Sequence, residues 1–210
     1  MHHVMFDIDG TLIESQDLDS LCFSEAVKEI TGIDMDTDWR SYKDATDAGI
    51  LNEFFELNNI QNCSAITDSI KLSFLAKLKY RMAKNTINEI PGASAFLYKL
   101  KTLDDVVVSF ATGGWYESAI LKLQSAGIDF SGIAIASSND HYQRTQIMKI
   151  AENRVNHTNA PLTYFGDGIW DLKACNDLGI NFVLVGDNIK HNQKIKDFLN
   201  QKKALAFIGL

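Results

Sequence analysis

The 210-residue chain carries only three cysteines, Cys22, Cys63 and Cys175, an odd number too widely spaced for a disulfide framework. Such usage suits reduced intracellular thiols serving as small apolar filler, and a cytoplasmic location is expected with it. Basic charge is scarce too: 20 Lys and Arg stand against 27 Asp and Glu, a formal net charge of −7. Phosphate backbones and anionic lipids reward clustered Lys and Arg, so general affinity for nucleic acid or a membrane surface is excluded. Any anionic ligand must be bound locally. No apolar stretch approaches the about 20 residues of a membrane span. The apolar run at the start is interrupted by Asp7 and Asp9, and no small-residue cleavage site follows, which argues against a secretory signal. His2 and His3 precede that run and read as solvated terminal residues rather than metal ligands.

What is present is enough apolar content, 46%, for a substantial core. Short β-branched runs at Val4 to Ile8, Val106 to Ala111, Ile133 to Ala136, Leu162 to Phe165 and Phe182 to Val185 read as buried parallel strands. Helical patterns fall between them at Trp115 to Ala126, Arg144 to Asn156 and Asp171 to Leu178, with Gly127 and Gly179 where helices stop. This alternation predicts an α/β fold, an open parallel sheet covered on both faces. Residues 15–90 break the rhythm. They hold amphipathic helical segments at Leu18 to Ile30, Leu51 to Leu57 and Ile66 to Lys84, and Pro91-Gly92 marks the return to the sheet. The chain divides on this reading into a core of residues 1–14 and 91–210 and a helical insertion of residues 15–90.

The chemistry gathers at strand ends. Asp7 and Asp9 lie two residues apart after an apolar strand, so their side chains share a face, and Gly10 then lets the chain turn towards Thr11. Burying two adjacent carboxylates without compensation costs several kcal/mol, which calls for a cation or a ligand. A helix-capping role explains Thr11 or Ser15 but leaves Asp7 unexplained. After the second strand come Thr112, Gly113 and Gly114 at a helix N-terminus, suited to a phosphate oxygen. After the fourth come Gly166, Asp167, Gly168, Ile169, Trp170 and Asp171, two carboxylates close enough to serve one site. In open α/β sheets the functional crevice lies beyond the carboxyl ends of the strands, where all of these converge. The oxygen-rich donor set matches Mg²⁺ better than zinc, which favours His and Cys.

In order and spacing, Asp7-Ile8-Asp9-Gly10-Thr11, Thr112-Gly113-Gly114 and Gly166-Asp167-Gly168-Ile169-Trp170-Asp171 resemble the motifs of the haloacid dehalogenase-like hydrolases. The resemblance implies a Rossmann-like three-layer α/β/α core, and residues 15–90 stand where the phosphoglucomutase-like subgroup inserts an all-helical cap. It implies Asp7 as nucleophile forming an aspartyl phosphate, and Asp9 as general acid and then general base. It further implies Mg²⁺ held by Asp7, the Asp9 main-chain carbonyl and Asp167, with Asp171 completing or orienting that shell, and a phosphate site formed by Asp7, Asp9, Gly10, Thr112 and Gly113. The family's usual lysine before the last of these motifs is absent. Arg144 is the candidate substitute and Lys149 the weaker one, since guanidinium binds phosphate or carboxylate bidentately.

In the insertion, the polar stretch from Arg40 to Gly49 suggests Arg40, Lys43, Thr46 or Asp47 as substrate contacts, and Trp115 and Tyr116 are candidates for the pocket mouth. The expected activity is Mg²⁺-dependent removal of phosphate from a small phosphorylated metabolite, such as a sugar phosphate or nucleotide. A phosphomutase of the β-phosphoglucomutase type is the alternative, and a non-catalytic binding or regulatory protein is the alternative of another class. The sequence does not fix the oligomeric state.

Overall fold

The computed structural model describes residues 1–61, 63–155 and 160–210. Six strands form one parallel sheet: β1 (His2–Phe6), β2 (Val106–Ala111), β3 (Ala134–Ala136), β4 (Leu162–Gly166), β5 (Asn181–Val185) and β6 (Lys194–Ile195). Their spatial order is β3-β2-β1-β4-β5-β6, so the chain runs outward from β1 on one side and then returns to β4 on the other. Register is set by Phe6, which lies opposite Phe110 of β2 and Phe165 of β4. The reversal of strand order beside β1 opens the crevice in which such sheets bind ligands.

Strand alternation distributes the core between two faces. Val4 and Phe6 point to one face, where Phe6 stacks on Phe165 at 5.1 Å and helices α4 (Ala93–Lys101), α5 (Tyr116–Ser125) and α8 (Gln201–Phe207) cover them. Met5, Tyr164 and Leu184 point to the other, beneath α6 (Arg144–Arg154) and α7 (Ile169–Leu178). The result is the three-layer α/β/α arrangement expected.

Between β1 and α4 lie α1 (Gln16–Thr31), a short 3₁₀ turn at Trp39–Ser41, α2 (Asp47–Leu57) and α3 (Ser64–Met82). They bury a hydrophobic cluster of their own, including Phe23, Phe54, Phe55 and Phe74, to which the sheet unit contributes Trp115. Trp115 is 3% exposed, with its ring 5.6 Å from Phe23 and 5.8 Å from Phe74, so it packs rather than lining a pocket mouth. Tyr116 is exposed.

Several sequence expectations shift. The strand read as Val4 to Ile8 spans His2–Phe6, and His3 is buried inside it, its Nε2 2.7 Å from Ser109 Oγ across the sheet, rather than solvated. Strand pairing from His2 onward draws the terminus into the sheet. The helix read to Asn156 is described to Arg154, and Asn156 lies outside the described residues. Two residues of β6 and seven of α8 were too short to give a periodic signal. Cys22 and Cys175 are buried filler, whereas Cys63 is exposed.

Candidate active site

The alternation that turns Met5 towards α6 and α7 carries on into Asp7, whose N–H donates to the Phe165 carbonyl at 2.9 Å, one step past the end of β1. Asp7 is 4% exposed. Gly10 then turns with φ +74°, a region that disfavours a Cβ, and a Cβ there would lie 2.6 Å from Asp167 Oδ2. The turn is thus both conformationally and sterically restricted to glycine.

Asp7, Asp167 and Asp171 each present a carboxylate oxygen within 4.8 Å of the others. Arg144, at the first residue of α6, enters this group from the side: Nη1 donates to Asp171 Oδ1 at 2.7 Å and lies 3.5 Å from Asp7 Oδ1. Asp171 is fully committed. Besides Arg144, the Tyr164 hydroxyl lies 3.2 Å from Oδ1, and Oδ2 accepts the Gly168 N–H at 3.0 Å. Asp167 differs, since its Oδ1 is buried without a hydrogen-bond partner among the described residues, while Oδ2 receives Gln16 Nε2 and Asn188 Nδ2. Asp7 and Asp167 therefore suit a hard cation, and Asp171 acts by holding Arg144 and the turn at Gly168.

Charge in this cluster is unbalanced. Burial, then repulsion from Asp171, pushes the Asp7 carboxyl well above its ordinary range, and burial and Asp171 push Asp167 to about 7. Burial works against the charge on Arg144, yet Asp171 and Asp7 hold it protonated. One guanidinium does not neutralise three carboxylates, and a divalent cation would.

A second buried cation stands beside Asp9. Lys122 of α5 is fully buried, with Nζ 2.7 Å from the Asp9 carboxylate and in contact with Asp19 of α1. Ser15 is the residue before α1, but its hydroxyl donates to Asp9 Oδ1 and makes no cap to the helix. Burial raises the Asp19 carboxyl to about 6 even though Lys122 attracts its charge. Nearby Asp47 is raised by burial and by Asp19, so one ammonium is shared among more acids than it can balance.

The segment before α2 closes one side of the site. Asp47 N–H donates to the Gly113 carbonyl at 2.8 Å, and Asp47 Oδ2 accepts the Trp115 N–H at 2.8 Å. The Thr46 hydroxyl donates to the Tyr142 carbonyl at 2.6 Å and accepts from Gly49, and the Ala45 carbonyl takes Arg144 Nη2 at 3.3 Å. A Cβ on Gly113 would lie 2.9 Å from that carbonyl, so this approach demands glycine. Thr112 Oγ1 accepts the Gly114 N–H at 3.1 Å and retains its own proton to donate.

Asp7, Asp9, Thr112, Gly113 and Arg144 all line one cavity of about 590 Å³, together with Arg40, Thr46 and Asp47. Thr46 and Asp47 reach it with their polar groups engaged by the sheet unit. Lys43 is not among the lining residues. It is exposed, and its N–H is held by Glu53 at 2.9 Å. Lys149 is exposed on α6. Sequence reasoning missed Lys122, Asp19 and Tyr164. For Lys122 a signal existed: with Trp115, Ser118, Ala119 and Leu123 it falls on the buried stripe of its helix.

The family model described as haloacid dehalogenase-like hydrolase matches residues 4–185. Among solved structures, a hydrolase from Pseudomonas syringae superposes with a TM-score of 0.76 at 17% identity, over 98% of this chain and 99% of that one. CbbY from Rhodobacter sphaeroides in complex with phosphate gives 0.75 at 18% identity, and β-phosphoglucomutase from Clostridium difficile gives 0.74 at 17%, each over 100% of both chains. Identities this low speak for a shared fold. No curated protein matches the sequence.

Proposed function

The chain belongs to the haloacid dehalogenase-like hydrolases, and from that premise we propose that it is a phosphatase acting on a small phosphate ester through an aspartyl phosphate on Asp7. The observation that carries this reading is the Asp7 carboxylate, buried at the end of β1 and grouped with Asp167, Asp171 and Arg144. We take residues 15–90 as a cap whose loop at 45–48 closes one side of the site.

Asp7 attacks phosphorus in line while Asp9, which lines the cavity beside it, gives a proton to the departing alcohol oxygen. Asp9 then takes a proton from the water that hydrolyses the aspartyl phosphate. Thr112 and Arg144 hold phosphoryl oxygens as charge develops on them. Asp7 and Asp167, with the Asp9 main-chain carbonyl, would hold Mg²⁺, which when bound offsets the repulsion between an anionic nucleophile and an anionic substrate.

The leaving-group side of the cavity favours a hydroxyl-rich alcohol such as a sugar. Its walls carry the acceptor Asp17, the carboxylates of Asp19 and Asp47 already engaged by Lys122 and the Trp115 N–H, and the flat faces of Phe23, Trp39 and Trp170. Arg40, the cation on that side, is tied to Asp38 at 2.7 Å. A second phosphate or carboxylate would meet carboxylates there.

The test is phosphate release from 4-nitrophenyl phosphate and a panel of hexose phosphates with Mg²⁺. Wild type is expected to release phosphate, chelation to stop it, and Asp7→Asn to abolish it. Equal activity of wild type and Asp7→Asn overturns the nucleophile, isomerisation of a hexose phosphate without release makes the protein a phosphomutase, and an inert wild type makes it a binding module.

A further inference from the structure

Two amphipathic helices from different units each carry one charged residue on an otherwise uncharged stripe. On α1 the stripe is Asp19, Cys22, Phe23, Ala26 and Val27, and on α5 it is Trp115, Ser118, Ala119, Lys122 and Leu123. A lysine that is 0% exposed is rare unless it is paired, and Lys122 is paired twice, with Asp9 on the β1 loop and Asp19 on α1. Asp9 is held at both oxygens, since Nζ is 2.7 Å from each and Ser15 Oγ also donates to Oδ1, while its side chain keeps 20% of its surface open on the cavity. Lys122 does not line that cavity. It touches neither the phosphoryl site nor the place of the leaving group, so whatever it contributes to the reaction passes through Asp9.

We propose that Lys122 is a positioning residue that fixes the Asp9 carboxyl for proton transfer, and that Asp19 makes this hold depend on the helical unit being seated on the sheet. The proposal rests on the reading of Asp9 as acid and base. In the step concerned, the bond from Asp7 oxygen to phosphorus forms, the bond from phosphorus to the alcohol oxygen breaks, and that oxygen takes the Asp9 proton. A carboxyl free to rotate would miss the oxygen. Arg144 and Asp171 stand outside this pairing, so the phosphoryl site is left intact when Lys122 is lost.

Leaving-group dependence reads this directly. A 4-nitrophenolate departs without a proton, whereas an alkoxide needs one. With Mg²⁺ present, kcat and KM are measured on 4-nitrophenyl phosphate and on the best substrate among hexose phosphates and glycerol 3-phosphate. Lys122→Met is expected to lower kcat on the alkyl ester by about 10²-fold and on the aryl ester by a few-fold, with KM little changed. Asp9→Asn should show the same selectivity, and Asp9→Asn with Lys122→Met should be no worse on the alkyl ester than Asp9→Asn alone. Equal losses on both esters, or multiplying losses in the double variant, would overturn the positioning role. If Lys122→Met does not fold, Asp19→Asn reads the same ratio with a smaller shift in the same direction, and no shift overturns the proposal. A wild type inactive on both esters brings down the phosphatase reading itself, which distinguishes the two failures.

Discussion

The molecule buries two cations among carboxylates, and the two centres are built differently. Arg144 stands with Asp7, Asp167 and Asp171, every one from the sheet unit and each within a few residues of a strand end or helix start. Lys122 stands with Asp9 and Asp19, and it joins the sheet unit to the helical insertion through the last turn of α5 and the first turn of α1. The first centre draws all its charged groups from the sheet unit, and the insertion adds only the Ala45 carbonyl on Arg144 and the Gln16 amide on Asp167. The second is incomplete until the two units meet, because Asp19 and the Ser15 hydroxyl reach the Lys122–Asp9 pair from the insertion. This difference separates a site for chemistry from a device that ties proton transfer to assembly of the site.

The largest way to break the comparison is to remove the first cation. Arg144→Met should lower kcat/KM by about 10² to 10³-fold, the scale of losing one preorganised donor to a transferring group, and should do so alike for aryl and alkyl phosphates. The contrast with the ester-selective loss expected of Lys122→Met is the informative part. If Arg144→Met proved selective for alkyl esters, the two centres would not be separable.

Asp19 sharpens the comparison from the stability side. Its folded carboxyl titrates at about 6 because burial outweighs the pull of Lys122. An acid whose pKa is raised on folding binds its proton more tightly in the native state, so its contribution is full below about pH 4 and is lost as pH rises to about 6. Asp19→Asn should therefore flatten the fall in unfolding free energy between about pH 4 and 6, measured by urea titration at several pH values. Identical slopes in both proteins would show that Asp19 is not held as described.

Legibility in the sequence follows the same division. The strands and the motif residues at their ends were readable because β-branched runs, glycine turns and repeated Asp have local signatures. Arg144 could be nominated only as a replacement for an absent lysine, and its approach to Asp7 comes from tertiary packing of α6 against β2, β3 and α7. The Lys122 centre was hidden. Each of its helices reads as ordinary amphipathic sequence, and the charges find their partners only in the folded chain, Lys122 on the loop after β1 and Asp19 across the seam. Thr46 and Asp47 were noticed for their polarity, but that polarity serves the contact with Gly113, Trp115 and Tyr142. A local pattern does not tell whether a polar side chain faces a ligand or another loop.

The smallest expected effect tests the edge of the first centre's cavity. Arg40 lines it, yet its guanidinium is bound to Asp38 at 2.7 and 2.8 Å, and both side chains are largely open to water. An exposed pair of this kind contributes about 0 to 1 kcal/mol to stability. If the leaving group carries no second anion, nothing draws Arg40 away from Asp38, and Arg40→Ala should change kcat/KM for a hexose monophosphate by no more than about threefold, within that energy. Bisphosphates give the sharper reading, because a second phosphate could be gripped only by breaking the Asp38 pair. Tight bisphosphate use that collapses in Arg40→Ala would refute a hydroxyl-rich leaving group while leaving both buried centres as they stand.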